Sequence, residues 1–307
     1  MSNVNGVIVI NKDAGMTSHD CVMRVRRLLG QKKSGHTGTL DPDVTGVLPI
    51  CLGQGTRIVE YLQELPKAYE VTMRIGSTTT TEDASGEVIE EQKIAEGSIT
   101  REQLEEVFAR FLGEIEQVPP MYSAVKVNGK RLYDLAREGI VIERQARKVK
   151  IYDFVFHGFQ HADDGYDVSF LCRCSKGTYI RTLCVDMGAA LGYPAHMARL
   201  IRVESGPFRL EQAVTIEQLE AAVEAGTSAD LIIPVADALS FLPSYEVAPA
   251  RKKAVLNGLE TALPGCKESE GSLIRLLSEG QLLGLHRIAA NSRGLVAKPE
   301  KVFQGEV

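Results

Sequence analysis

A chain of 307 residues with 44% apolar and 24% charged side chains has the makeup of a folded protein large enough for a catalytic body and one appended module, which excludes a disordered chain. Its formal net charge of −5 excludes a protein that coats nucleic acid indiscriminately, but leaves room for local basic patches. Residues 6–10 are apolar yet too short for a signal-peptide core, and no run approaches the about 20 apolar residues of a membrane helix, which implies a soluble, cytoplasmic protein with no membrane partner.

In chain order, residues 6–12 read as a buried strand, and Thr17 or Ser18 caps a helix with apolar positions Val22, Val25, Leu28 and Leu29, ended by Gly30. Arg24, Arg26, Arg27, Lys32 and Lys33 have no acid among them. Such a stripe suits a phosphate backbone, although a solvated charged face accounts for it as readily. A Gly- and Thr-rich loop follows over 34–46, then a strand over 47–52 and a helix over 57–65.

Tyr69, Val71, Met73 and Ile75 alternate with polar residues as a strand with one wet face. Thr100 with Gln103, and Thr215 with Gln218, are capping-box pairs at the starts of two helices. The segment 117–147, with Pro119-Pro120 and several glycines, is long enough to be a functional loop, and 126–150 is a second basic stretch. Tyr166 to Cys174 alternate as another strand, and a helix after it begins near Ile180, which puts Arg181 in its first turn. From about 245 onward the pattern is that of a small, mostly β domain, with a hairpin turning at Glu279-Gly280. The six cysteines are scattered and read as reduced, buried thiols, with Cys172 and Cys174 on one face of a strand.

The chemistry concentrates in Gly35-His36-Thr37-Gly38-Thr39-Leu40-Asp41-Pro42, where turn-permissive glycines and hydroxyls surround one carboxylate directly before a buried strand. Elsewhere the signals are weaker. His157 and His161 stand four apart without a nearby third ligand, so no metal is expected. Gly53-x-Gly55 lacks a third glycine, and no phosphate-binding Gly-Lys-Ser/Thr loop occurs, so no nucleotide cofactor is expected.

The eight-residue loop resembles the catalytic motif of TruB-type pseudouridine synthases. Lys12 with Gly15, Thr17 and Ser18 resembles the motif that precedes it in that family, with Asp13 where proline is usual. Further matches are Lys67-Ala68-Tyr69, Pro119-Pro120-x-Tyr122-Ser123-Ala124-x-Lys126, Gly177-Thr178-Tyr179-Ile180-Arg181 and Leu200 after Ala198-Arg199. Together they run from about 10 to 205 in the family's order.

The resemblance implies an α+β pseudouridine synthase fold with a central mixed, largely antiparallel sheet. A catalytic domain over 1–243 would be followed by a PUA-like RNA-binding domain over 244–307, with Arg251, Lys252 and Lys253 facing RNA. It implies a monomeric, cofactor-independent enzyme that isomerises uridine 55 in the T loop of tRNA, engaging the T arm, and that also helps tRNA fold. Asp41 is then the catalytic carboxylate, as nucleophile or as base, and Arg181 the cation that keeps it ionised. Tyr69 stacks on the flipped base and is placed to handle the C5 proton, while His36 fills the vacancy the base leaves. Tyr179 and Leu200 wall the pocket, and Lys12 and Lys126 bind substrate. Three rivals stand beside this reading: a guided dyskerin-type synthase, a non-catalytic RNA-binding or chaperone protein on the same fold, and a carboxylate glycosidase needing a second acid opposite Asp41.

Overall fold

The structure is a computed structural model that describes residues 4–123, 126–127, 130–140, 142–292 and 294–304. By its internal contacts the chain divides into two compact units: Met1–Asp43 with Val47–Gln63 and Pro207–Val307, and Val44–Gly46 with Glu64–Gly206. No helix among the described residues is long and apolar enough to cross a membrane.

The second unit is built on an antiparallel sheet in the order Ala195–Ser205, Lys67–Ile75, Gly165–Cys174, Arg147–Ala162, Gly113–Gln117. Alternation explains its centre: Val71, Met73 and Ile75, and across the ladder Val168, Phe170 and Cys172, are buried on one face. The helix Arg101–Phe111 closes that face through Phe108, whose ring lies 5.0 Å from both Phe154 and Phe170 and 5.8 Å from Phe156. The expected Thr100–Gln103 capping box starts this helix.

One short parallel pairing makes the sheet mixed. Thr45 and Gly46 lie beside Ile201 and Arg202. Gly46 has φ +104°, and a Cβ built there would fall 2.2 Å from the Arg202 carbonyl oxygen, so only glycine fits.

Several strands were not legible in the sequence, among them Ser34–His36 within the expected loop and Gly113–Gln117, the longest being Arg147–Ala162 and Ala195–Ser205. These two longest carry register shifts, between Ile151 and Asp153 and between Phe156 and Gly158 in the first, and between Met197 and Arg199 and between Arg202 and Glu204 in the second. Each shift breaks the period of two that betrays a strand.

In the first unit the strand Gly6–Lys12 lies beside Thr45–Leu52, which in turn pairs antiparallel with Ser34–His36. The helix Ser18–Leu28 starts at Thr17, whose side chain accepts from the Asp20 amide while the Asp20 carboxylate accepts from the Thr17 amide. Residues far along the chain return to this core: Val7 and Ile233 exchange backbone hydrogen bonds of 2.8 Å, and the Asn11 amide donates to the Val214 carbonyl at 2.9 Å.

A five-stranded sheet begins at Ser244, in the order Ser244–Glu246, Leu273–Ser278, Gln281–Asn291, Gly294–Val302, Thr261–Ala262. It has its own core of Val247, Val255, Leu263, Ile274, Leu276, Leu283, Ile288 and Ala297. The cysteines are free thiols, five buried and Cys266 half-buried.

Candidate active site

The loop carrying Asp41 is pinned on both sides of that residue. Before it, the Ser18 hydroxyl accepts from the Leu40 amide at 2.8 Å and donates to the Leu40 carbonyl at 3.1 Å. After it, the Pro42 carbonyl accepts from Lys12 Nζ at 2.7 Å and from the Gly15 amide at 3.0 Å. Lys12 is fully buried and gives its other two ammonium protons to the carbonyls of Asp13 at 2.9 Å and Met16 at 2.7 Å.

Burial lowers the Lys12 pKa, against the pull of Cys21, Asp43, Asp13 and Asp41. Lys12, expected to contact substrate, therefore spends its protons on the backbone that frames Asp41. Asp41 itself is half-buried. Earlier in the loop, His36 Nδ1 accepts from the Gly38 amide at 3.2 Å, and the Thr37 amide donates to the Pro49 carbonyl at 3.1 Å.

In the second unit, Tyr69 and Arg202 are cross-strand partners, and the buried Arg202 guanidinium hydrogen-bonds the Tyr69 hydroxyl. Burial pushes the Tyr69 pKa up to about 12, with Arg202 opposing it. At neutral pH the residue is therefore a phenol that can stack and donate, and whose tyrosinate would be a strong base. Lys67, buried two residues earlier, donates to the Leu65 carbonyl at 2.6 Å, and burial followed by the Arg202 charge brings it down to about 8.

Arg181 lies in the first turn of the helix Ile180–Leu191 and is 6% exposed. A guanidinium there adds to the positive end of the helix dipole and needs acceptors around it. Its Nη1 donates to the Thr81 carbonyl at 2.9 Å and its Nη2 to the Tyr122 carbonyl at 2.8 Å, while Nε lies 3.8 Å from Asp83 Oδ2. Asp83 Oδ1 accepts from the Thr81 hydroxyl at 2.6 Å, the Ser85 hydroxyl at 2.6 Å and the Ser85 amide at 3.0 Å, which holds its second oxygen toward Arg181.

Tyr179, the residue before this helix, has no side-chain cap of its own. The buried amide of Gln117 takes that place. Its Nε2 donates to the Tyr179 carbonyl at 3.1 Å and its Oε1 accepts from the Tyr179 amide at 3.0 Å. Tyr179 is half-buried, as is Leu200, which pairs with Val71 on the neighbouring strand.

The structure thus groups Lys12 with the frame of Asp41 in one unit, and places Tyr69, Tyr179, Arg181 and Leu200 in the other. The Lys126 side chain lies outside the described residues, as do Ala124 and Val125 of the same motif. Sequence reading missed Asp83, Gln117 and Arg202. A signal for Asp83 was present in the Thr78-Thr79-Thr80-Thr81 run before it, a dense supply of turn-forming hydroxyls. Of the two histidines weighed as ligands, His157 Nε2 lies 2.9 Å from Glu70 Oε2 and His161 Nε2 lies 2.7 Å from the Ile94 carbonyl. The Arg251, Lys252 and Lys253 run sits on the helix Pro249–Leu256, with Arg251 and Lys253 exposed.

The chain as a whole is matched among known proteins. The N-terminal domain model of the TruB family of pseudouridylate synthases covers residues 26–180, and the tRNA pseudouridylate synthase B C-terminal domain model covers 181–240. The protein named tRNA pseudouridine synthase B from Geobacillus thermodenitrificans is 49% identical over 98% of this chain and 100% of its own length. The one from Bacillus subtilis is 46% identical over 98% of both.

Among solved structures, an H/ACA RNP bound to a substrate RNA containing 2'-deoxyuridine has a chain with a TM-score of 0.74 and 28% identity, covering 98% of this chain and 85% of that one. A Cbf5-Nop10-Gar1 complex gives 0.73 and 30%, covering 97% and 85%. The α+β architecture with its mixed, largely antiparallel sheet is therefore the pseudouridine synthase fold. With two family models spanning most of its length and relatives near half identical from end to end, the chain belongs to the TruB family of pseudouridylate synthases.

Proposed function

We propose that this protein isomerises uridine 55 in the T loop of tRNA to pseudouridine, without a cofactor, with Asp41 as the catalytic carboxylate. The observation that carries the reading is the intact eight-residue loop, with the peptides on both sides of Asp41 pinned by Ser18 and Lys12. The names of the bacterial relatives support tRNA as the substrate. The reaction breaks the N1 glycosidic bond, turns the uracil and joins C5 to the ribose, while the C5 proton leaves and N1 gains one. Atoms and oxidation state are conserved, so no redox partner is required.

In this reading the uridine is flipped out of the T loop and His36 fills its place. Tyr69 stacks on the base and handles the C5 proton, Tyr179 and Leu200 wall the pocket, and Arg181 supplies the positive charge that keeps a carboxylate ionised away from water. Lys126 contacts the T arm, and Lys12 serves substrate binding through the loop it holds. Residues 1–243 act as the catalytic domain and 244–307 as a PUA-like RNA-binding module presenting Arg251, Lys252 and Lys253. The enzyme works as a cytoplasmic monomer and also aids tRNA folding.

The test is to incubate the wild type and Asp41→Ala with unmodified tRNA and map pseudouridine chemically. Product at one T-loop uridine from the wild type, and none from a variant that still binds tRNA, is the expected result. Binding without any modification by the wild type overturns the enzymatic reading, and modification at another position overturns the substrate.

A further inference from the structure

The turn that holds Arg181 is itself held from behind. Glu82 has φ +65°, a left-handed conformation that glycine adopts freely and a glutamate rarely. Backbone contacts keep it there: its amide donates to the Thr79 carbonyl at 3.2 Å, its carbonyl accepts from the Met197 amide at 3.0 Å, and the Ala84 amide donates to the Met197 carbonyl at 3.1 Å. Its carboxylate accepts from the Thr182 hydroxyl at 2.6 Å, a short bond of the charge-assisted kind. Thr182 is the residue directly after Arg181.

The two neighbours of Glu82 are the ones that meet Arg181, Thr81 through its carbonyl at 2.9 Å and Asp83 through Oδ2 at 3.8 Å. Residues 81–83 and 181–182 therefore interlock, about 100 positions apart in the chain. Asp83 cannot turn alone, because Oδ1 is committed three times within its own turn. A change in how Thr81 and Asp83 hold the guanidinium requires the turn to move as a body against the helix. The Glu82–Thr182 bond is a side-chain tie across that seam.

The tie is built at some cost, since burial pushes the Glu82 carboxyl above its ordinary range, against the opposing effects of Thr182 and Arg181. Burial, and then the Glu82 charge, raise Asp186 one turn further along the same helix to about 6. Apolar side chains filling the same space would carry none of this electrostatic penalty.

We propose that Glu82 is a positioning residue: by binding Thr182 it fixes the turn over residues 79–85 to the start of the helix Ile180–Leu191, and so sets the angle at which Thr81 and Asp83 hold Arg181. This inference rests on the proposed isomerase reading, in which Arg181 serves the reaction.

The experiment measures kcat and KM for pseudouridine formation in the wild type, Glu82→Ala, Glu82→Gln, Thr182→Val and the Glu82→Ala/Thr182→Val pair, alongside tRNA affinity and thermal midpoint. Glu82→Ala and Thr182→Val are each expected to lower kcat about tenfold to a hundredfold at unchanged KM, the scale of a small misplacement of a group near the reaction. The double variant should be no worse than either single one. Glu82→Gln, whose amide oxygen still accepts from Thr182, should recover most of kcat.

Unchanged kcat in Glu82→Ala, or losses that multiply in the double variant, overturn the inference. So does a kcat loss in Glu82→Ala that follows its thermal midpoint and is shared by Glu82→Gln, because a purely structural role predicts that. If Glu82→Ala fails to fold, Thr182→Val and Glu82→Gln decide on the same criteria. A wild type that makes no pseudouridine sinks the isomerase reading itself, a result distinct from an active wild type indifferent to position 82.

Discussion

Lys12 and Arg181 are both buried cations that brace a loop, yet each unit meets the cost of burial differently. Lys12 gives three protons to three carbonyls, and its pKa is lowered by the burial. Arg181 gives protons to two carbonyls and also faces the carboxylate of Asp83. An ammonium can release a proton when its surroundings are dry, whereas a guanidinium cannot and needs a compensating anion. The difference separates two jobs: Lys12 organises backbone, and Arg181 keeps a permanent charge in a fixed orientation.

The comparison breaks most severely at Lys12. Lys12→Met removes the donor from three carbonyls at once, and the expected loss is about 3–5 kcal/mol of stability, the usual scale for stripping a buried polar cluster of one partner. Urea unfolding measures it, and a loss below about 1 kcal/mol would mean that water replaces the ammonium without difficulty. Arg181→Lys tests the other side, since it keeps the charge and loses the fork. The proposed role predicts a fall in kcat of about a hundredfold to a thousandfold with tRNA binding retained. Unimpaired turnover would reduce Arg181 to a diffuse charge.

A third buried basic side chain sharpens the contrast because it is offered no anion. His286 is fully buried in the Gln281–Asn291 strand, and burial, opposed by a backbone contact with Gly284, brings it down to about 4 from 6.5. The folded state therefore disfavours the protonated ring. Stability is full above about pH 6.5, falls as the unfolded chain takes up the proton first, and levels off below about pH 4, a total of about 3 kcal/mol. Denaturant midpoints at pH 7 and pH 4.5 for the wild type and His286→Leu check this, and the variant should lose that component of the pH dependence. The smallest expected effect is at a cap: Thr17→Ala should cost about 1 kcal/mol, read as a shift of the urea midpoint.

What was legible in the sequence was local. The Asp41 loop, the capping pairs at Thr100 and Thr215 and the alternation over residues 69–75 each complete their pattern within a few positions, so the chain displays them before it folds. Asp83, Gln117 and Arg202 acquire their roles through partners far away in the chain, as Gln117 does with Tyr179 across 62 positions. Nothing within their own windows separates Gln117 and Arg202 from ordinary loop or strand residues, and the threonine run before Asp83 marks a turn without revealing its distant partner Arg181. The family resemblance supplied Arg181 and Tyr69 by motif, but not the residues that hold them. The strand Arg147–Ala162 escaped for a different reason, since its bulges shift which face each side chain occupies.

Gln117 has a bearing on the chemical ageing of the protein. Its amide imitates a stretch of backbone, donating to Tyr179 with one atom and accepting from it with the other. Deamidation exchanges the NH2 group for an oxygen and leaves the side chain nearly the same size. The result would set a carboxylate against the Tyr179 carbonyl, turning one attraction into a repulsion two residues before Arg181. A mass change of about one dalton, from that simple exchange of groups, would thus loosen the start of a helix while every other contact in the fold stayed in place.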